Sequence, residues 1–338
     1  MATAKPPTLG NASSFRRRLL RWYRKEQRKL PWRGETDPYR ILVSEVMLQQ
    51  TRVAVVLDRY PIFIGQFPTA EKLSRAKVDA VLGAWSGLGY YRRARSLYAA
   101  AKIIAAMGYF PRSASAISEL PGVGRYTAAA VASIAFGEAV AVVDGNVKRV
   151  LQRLMGSQLS DAKCWEHANT LLDHAHPGDF NQAMMELGAT ICLPAQPRCV
   201  ACPVAAICRW RGASTNRVRS PRRKAVLNYV LAIADGQVLL TQRSGTSSLM
   251  PGMWELPECG PQPSQSALLK LKHSITVTDF TVFVFNLDPP STAEGKWVRF
   301  SALHRLPLTG LSRKILTRAA LLNARTIRTA TQSSDQHA

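Results

Sequence analysis

Apolar residues recur every three or four positions through most of the first two-thirds of the chain, the spacing that gathers them on one face of an α-helix. Residues 69 to 85, TAEKLSRAKVDAVLGAW, predict a helix with Thr69 as N-cap and Leu73, Val78, Val81 and Leu82 near one face. The same period covers 93 to 107, 125 to 136, 161 to 173 and 179 to 191, with few strand-like runs between. Residues 1 to 216 are therefore expected to be mainly α. At 217 to 224, Ser220-Pro221 and a run of basic charge mark a linker, and the pattern changes. AVLNYVLAIA, QVLLTQR, FTVFVF and KWVRF are short β-branched or aromatic runs broken by turn residues such as Asp235-Gly236. A helical segment at 310 to 323 closes this α+β part, which spans 225 to 328, and residues 329 to 338 read as a disordered tail.

One polar exception stands inside the helical pattern. SEVMLQQT, residues 44 to 51, sets Glu45, Gln49 and Gln50 into a run that otherwise reads as buried helix. On residues alone Glu45 is either a carboxylate facing solvent or a carboxyl whose neighbours Val46, Met47 and Leu48 keep it from water.

Composition narrows the class. Hydrophobic residues make up 46% of the chain and charged residues 20%, the balance of a folded soluble protein, and its 338 residues are enough for two domains. No run of 18 apolar residues exists, so no membrane span is expected. The N-terminal stretch MATAKPPTLGNASSFRRRLLRWYRK lacks an apolar segment, which favours an intracellular protein over a secreted one, although an Arg-rich start is also compatible with a transit peptide. The expected compartment is cytoplasm or nucleoid, or a nucleus or organelle if the source is eukaryotic. Lys and Arg number 45 against 22 Asp and Glu, a net charge of +23 that attracts polyanions. Residues 15 to 33 and 209 to 224 are basic clusters interleaved with aromatic and apolar residues, the footprint of nucleic-acid binding.

Two motifs carry chemistry. Cys192, Cys199, Cys202 and Cys208 form a C-x6-C-x2-C-x5-C array across 192 to 208. An intracellular chain of this size needs no disulfide staples, so the array reads as a metal site. Its irregular spacing suits an iron–sulfur cluster, with zinc as the rival. Cys164 and Cys259 lie outside it and read as free thiols. Leu120-Pro121-Gly122-Val123-Gly124-Arg125-Tyr126-Thr127-Ala128 places a glycine turn between two helices, where backbone N–H groups at a helix N-terminus can bind phosphate.

LPGVGRYTA, followed by VVDGNVKRV and then the cysteine loop, resembles the helix-hairpin-helix DNA glycosylases of the endonuclease III superfamily, which carry a 4Fe-4S cluster. SEVMLQQT, LPWR at 30 to 33, WSGLGYYRRAR at 85 to 95 and the added C-terminal part are similar to the MutY-type adenine DNA glycosylases within it. The resemblance implies a six-helix-barrel and cluster fold with a Nudix or MutT-like α+β domain, and excision of adenine mispaired with 8-oxoguanine in double-stranded DNA. It makes Glu45 the catalytic acid and Asp144 the aspartate that stabilises the oxocarbenium ion, with Tyr126 and Asn146 beside it. Arg33 and Glu186 would line the pocket for the extruded adenine. Gln50, Thr51, Leu88 and Tyr90 would meet the DNA stack near the lesion strand. Gly122, Val123 and Gly124 would bind phosphate, and the four cysteines would hold the cluster. Bifunctional relatives carry lysine where this chain has Tyr126, so a monofunctional hydrolase, acting as a monomer, is expected.

Two features depart from the pattern. No glutamate-rich Nudix box is present, which disfavours diphosphate hydrolysis. The family reads 8-oxoguanine through a Phe-Ser-His type loop, whereas this chain has Lys272-His273-Ser274-Ile275-Thr276-Val277, leaving Thr276, Ser274 and His273 as candidate readers. The competing functions are a pyrimidine-lesion glycosylase and lyase like endonuclease III, and a DNA-binding iron–sulfur protein without catalysis.

Overall fold

Helices form where the apolar period is unbroken and stop where it fails. The computed structural model describes residues 9–210, 212, 222–247, 249–262, 265–275, 277–288 and 294–322; the tail at 329 to 338 and most of the linker lie outside them. In chain order the helices are α1 (Leu9–Glu26), α2 (Pro38–Leu48), α3 (Val53–Gln66), α4 (Ala70–Ser74), α5 (Val78–Ala84), α6 (Arg92–Met107), α7 (Ala114–Ser118), α8 (Arg125–Phe136), α9 (Gly145–Met155), α10 (Asp161–Leu171) and α11 (Pro177–Thr190). The strands are β1 (Arg223–Val230), β2 (Ile233–Ala234), β3 (Gln237–Gln242), β4 (Trp254–Glu255), β5 (Leu269–Ile275), β6 (Thr278–Phe285) and β7 (Lys296–Arg299), and α12 (Gly310–Arg318) follows them.

The single helix expected over 69 to 85 is two, α4 and α5. Thr69 does cap the first, accepting from the Lys72 N–H. The apolar step from Leu73 to Val78 is five residues, which no helical face accommodates, and the backbone turns extended at Lys77, with ψ 136°. The last helix ends at Arg318 rather than 323, because Ala320 takes a left-handed conformation at φ 59°. Strand β5 was not foreseen, although LKLKHSI alternates.

The chain divides into two compact units, one of Met1–Arg75 with Ser96–Asn216 and the other of Ala76–Arg95 with Arg217–Ala338. The first is helical. Helix α9 shows why: Val147, Val150, Leu151, Leu154 and Met155 are buried at helical spacing, capped by Asp144 at one end and left-handed Gly156 at the other. They pack with Phe15, Leu19 and Tyr23 of α1, Ala129 and Ala130 of α8, Cys164 and Leu171 of α10 and Phe180, Met184 and Leu187 of α11 in one core. Helix α2 is buried along almost its whole length, from Tyr39 to Met47. Asp37 caps it by accepting from the Tyr39 N–H, and Pro38 occupies its first turn.

The second unit holds two sheets. In one, β6 lies between β1, to which it runs parallel, and β5, to which it runs antiparallel with Ile275 opposite Thr278. In the other, β3 pairs antiparallel with β2, β4 and β7. The expected turn at Asp235-Gly236 joins β2 to β3. Tyr229, Leu240, Val282, Val284, Ile315 and Leu316 belong to the core that α12 shares with the strands.

Candidate active site

Helices α2, α8, α9 and α11 and the segment 28 to 33 enclose a cavity of about 580 Å3 in the helical unit. It lies within the size range of small-molecule sites, roughly 300–1,000 Å3. Glu45 enters it from α2, where every residue from Ile41 to Met47 is buried, and is itself only 6% exposed. Burial pushes its pKa up, and the nearby Asp144 charge adds to this, against the opposing effects of the Tyr126 hydrogen bond and the Arg33 charge. The Tyr126 hydroxyl, on α8, donates to Glu45 Oε2 at 2.7 Å and lies 3.0 Å from Met185 Sδ. Burial first, then the two carboxylates, raise its own pKa well above the usual phenol value.

Asp144 occupies a different setting. It is the N-cap of α9, where the helix dipole favours negative charge. Its Oδ1 accepts from the Val147 N–H at 2.7 Å and its Oδ2 from Asn146 Nδ2 at 2.9 Å. Asn146 is held in turn by Arg149, whose Nη2 donates to Asn146 Oδ1 at 2.9 Å and to the Gly188 carbonyl at 2.7 Å, while its Nε donates to the Cys192 carbonyl at 2.8 Å.

Arg33 and Glu186 meet on the same cavity. Arg33 Nη2 is 2.9 Å from Glu186 Oε2, and Arg28 Nε is 2.6 Å from Glu186 Oε1. Glu186 is fully buried; burial raises its pKa, but the hydrogen bond and charge of Arg28 and the charge of Arg33 outweigh that and leave it below the usual range. Arg33 also donates to Gln182 Oε1. Arg28, Gln182, Met185 and Trp32 were not among the residues singled out from the sequence. Gln182 carried the same signal as Glu45, a polar residue in an apolar helix, and stands one turn before Glu186. Arg28 was hidden among the other basic residues of 15 to 33.

Gln50 and Thr51 line the cavity mouth just past α2. Gln50 is exposed and left-handed, at φ 53°. The Thr51 hydroxyl donates to the Gln49 carbonyl at 3.3 Å. Tyr90 belongs to the other unit and is also left-handed, at φ 45°, with 52% of its surface exposed. Leu88, grouped with it in the sequence, is 4% exposed and belongs to the core beneath the loop. For non-glycine residues such backbone angles are uncommon and concentrate where surrounding structure imposes them.

The glycine turn joins α7 to α8 as expected. Gly122 is left-handed at φ 74°, and a Cβ there would come within 2.4 Å of Ser96 Cβ, so glycine is required on two grounds. Gly124 has an ordinary φ of −88° and caps α8. Val123 is buried and anchors the turn through its N–H to the Leu120 carbonyl at 3.1 Å.

Cys192, Cys199, Cys202 and Cys208 line one further cavity of about 80 Å3, with Arg153 and Trp210 at its wall. Burial pushes the Cys202 thiol up to about 11, and the charges of the other three cysteines act in the same direction, so all four are electrostatic neighbours. Arg153 Nη1 donates to Cys192 Sγ at 3.3 Å. Four thiols about one cavity fit a four-thiolate ligand set. Among the described residues, no group of three or more His, Cys, Asp or Glu is arranged to hold a single metal ion. Cys164 is buried apart from them and Cys259 is partly buried; both are free.

In the second unit, His273 and Ser274 lie on β5. Ser274 Oγ donates to Asp279 Oδ1 at 2.6 Å. His273 is half-buried, and burial with the Lys314 charge pushes its pKa down. Thr276 lies outside the described residues, and Val277 is exposed.

Residues 43–171 match the HhH-GPD superfamily base excision DNA repair protein family. The chain is 47% identical over 220 residues to the adenine DNA glycosylase of Homo sapiens, covering 60% of this chain and 40% of that protein. It is 38% identical over 292 residues to that of Arabidopsis thaliana, covering 71% and 46%. The chain thus spans less than half the length of these two curated relatives. Among solved structures, a thermostable thymine-DNA glycosylase superposes with a TM-score of 0.56 at 32% identity, over 60% of this chain and 96% of that one.

Proposed function

Because the chain belongs to the HhH-GPD superfamily of base excision DNA repair proteins, we propose that it is a monofunctional DNA glycosylase that hydrolyses the bond between deoxyribose and an adenine mispaired with 8-oxoguanine or guanine. The observation that carries this reading is the pair of carboxylates on one cavity in opposite settings: Glu45 buried with its pKa raised, Asp144 held by two donors at a helix N-terminus.

Adenine leaves as a neutral base only if a ring nitrogen is protonated as the glycosidic bond stretches. Glu45 is the group positioned to give that proton, and burial lets it hold the proton at pH values where an exposed glutamate, at about 4.3, has lost it. Positive charge then develops on the sugar. The Asp144 carboxylate on the same cavity offsets it, and Asn146 and Arg149 hold that carboxylate in place. This is the division between an acid and an anion used on sugars by glycosidases. Arg33, Glu186 and Gln182 offer a polar wall to an extruded base. Tyr126 has no amine, so no Schiff base forms and no strand cleavage by lyase chemistry follows.

Double-stranded DNA is the partner this reading requires. The +23 charge and the turn Gly122-Val123-Gly124 supply phosphate contacts, and Gln50 and Tyr90 supply groups to fill the gap left by a flipped nucleotide. The catalytic machinery falls within 1 to 216 and the reading of 8-oxoguanine within 225 to 328, with the linker at 217 to 224 between. Of the three candidate readers of 8-oxoguanine, Ser274 and His273, on β5, are the two that fall among the described residues. The four cysteines would hold a 4Fe-4S cluster, which when bound would tie the 192 to 208 loop into one body. Among the described residues no helix is long and apolar enough to cross a membrane, and a monomer working inside the cell is the form we assign.

The test is a panel of duplexes holding adenine opposite 8-oxoguanine, adenine opposite guanine, or an oxidised pyrimidine, each with and without alkali. Cleavage of the adenine strand after alkali supports the proposal. Alkali-independent cleavage of the pyrimidine strand would replace it with an endonuclease III-like activity, and tight binding without product would leave a non-catalytic DNA-binding protein.

A further inference from the structure

The loop that carries Tyr90 is held more firmly than an exposed surface loop needs to be. In the run from Trp85 to Tyr91, three residues are left-handed: Gly87 at φ 95°, Gly89 at 66° and Tyr90 at 45°. A tyrosine stays in that region only when its surroundings impose it. Behind the ring, Trp85, Leu88 and Tyr91 are buried. The Tyr91 hydroxyl donates to the Leu308 carbonyl at 3.4 Å, and Arg95 Nη2 donates to the Pro251 carbonyl at 2.8 Å, so the C-terminal end of the loop and the first turn of α6 are fastened to the strand-bearing part of the same unit.

Arg93 supplies the restraint next to the ring. Its Nη2 donates to the Leu88 carbonyl at 3.1 Å and to the Gly89 carbonyl at 3.3 Å. The Gly89 carbonyl also accepts from the Trp85 indole N–H at 3.1 Å. The same guanidinium lies 5.6 Å from the Trp85 ring centroid and 5.3 Å from the Tyr90 ring centroid. One planar cation thus fixes the peptide units that lead into Tyr90 and also attracts the face of its ring. Tyr90 nevertheless remains 52% exposed.

We propose that Arg93 is a positioning residue that holds the Tyr90 ring in the orientation from which it enters the base stack. The inference rests on the reading of this chain as a glycosylase whose Tyr90 wedges into DNA, and it names the group that prepares the wedge. A ring already fixed before contact loses less rotamer freedom on insertion, which leaves more of its stacking energy for holding the flipped state. Lysine cannot replace arginine here, since an ammonium has neither the planar face nor the forked donors.

The experiment uses the full-length protein and a duplex with adenine opposite 8-oxoguanine and 2-aminopurine beside the lesion, whose fluorescence rises on unstacking. Arg93→Lys and Arg93→Met, which keep the charge and the apolar stem respectively, are compared with Tyr90→Ala and with the double variant of Tyr90→Ala and Arg93→Lys. Melting temperatures establish that each is folded. Both Arg93 variants should bind undamaged duplex within about twofold of the unaltered protein, give a rise in fluorescence smaller by about threefold or more, and excise about tenfold more slowly at saturating enzyme. On the Tyr90→Ala background, Arg93→Lys should change the rate less than about twofold, because the two act through one ring. An equal loss on both backgrounds, or an unchanged fluorescence rise in the Arg93 variants, overturns the role of Arg93 alone. A Tyr90→Ala protein that unstacks and excises like the unaltered one overturns the wedge itself, and the inference with it.

Discussion

Glu45 owes its chemistry to the helix beneath it. A carboxyl on a helix stretch that is buried from Ile41 to Met47 has no wet surface to face, so the group is either paired, protonated or both. Two outcomes follow. Glu45→Gln should reduce excision by about a thousandfold or more while affinity for the mispair changes little, because it removes a proton and keeps the shape; a large loss of binding would instead make Glu45 a structural group. The pH dependence has a definite sign. The acid is fully protonated below its raised pKa and loses the proton as pH climbs through it, so excision should fall on the alkaline side, at a pH above the ordinary carboxylate range. The Tyr126 hydroxyl opposes the rise, so Tyr126→Phe should move that alkaline limb to higher pH whatever it does to the maximum rate. Single-turnover rates across pH read this directly, and a limb that stays or moves down would refute it. Glu45 stood out because a charge in an apolar run is improbable by chance, although the residues alone left open whether it faces solvent. Arg28 did not, since one arginine in a basic helix and loop looks like the next until Glu186 is seen beside it. Nor did the burial of Leu88, which stands two residues before the exposed Tyr90 in a short loop.

At the scale of elements, the site depends on how closely α9 and α11 approach. A Cβ on Gly188 would come 2.6 Å from Asn146 Cβ and 3.1 Å from the Asn146 carbonyl carbon and oxygen. Gly188→Ala should therefore displace Asn146, and with it the donor to Asp144. We expect a loss of roughly 1–3 kcal/mol in stability and a fall in excision of about tenfold, read by urea unfolding and single-turnover kinetics. Gly65→Ala on α3, where nothing lies within 4 Å of the added carbon, should be neutral or stabilising by up to about 1 kcal/mol and serves as the control. A Gly188→Ala protein with an unaltered rate would show that Asn146 is not needed to hold Asp144. Periodicity located the long helices well, since α8 and α9 bury one face at regular spacing. It failed at α4 and α5, where a five-residue apolar step breaks the face, and at β5, whose alternation is masked by lysines that point away from the core.

For the whole molecule, charge is the property that composition made plain. A net +23 that meets DNA through phosphates releases counterions, so raising salt from about 50 to about 200 mM should weaken binding to undamaged duplex by roughly a thousandfold if six or more phosphates are engaged. A shallow dependence would mean that the basic residues face elsewhere. The division into units was only half legible: the change of period near residue 217 was visible, but the capture of 76–95 by the second unit was not, because it rests on single contacts such as Tyr91 to the Leu308 carbonyl. That capture has a consequence in time. A ribosome releases the Tyr90 loop roughly 120 residues before the chain that frames it begins, which at about 5–20 residues per second is a wait on the order of 6 to 24 s. A nascent chain stopped before residue 217 already carries Glu45 and Asp144 but lacks the strands with which the Tyr90 loop forms one unit, so that loop should acquire its framework only after the site cavity's residues have all been made.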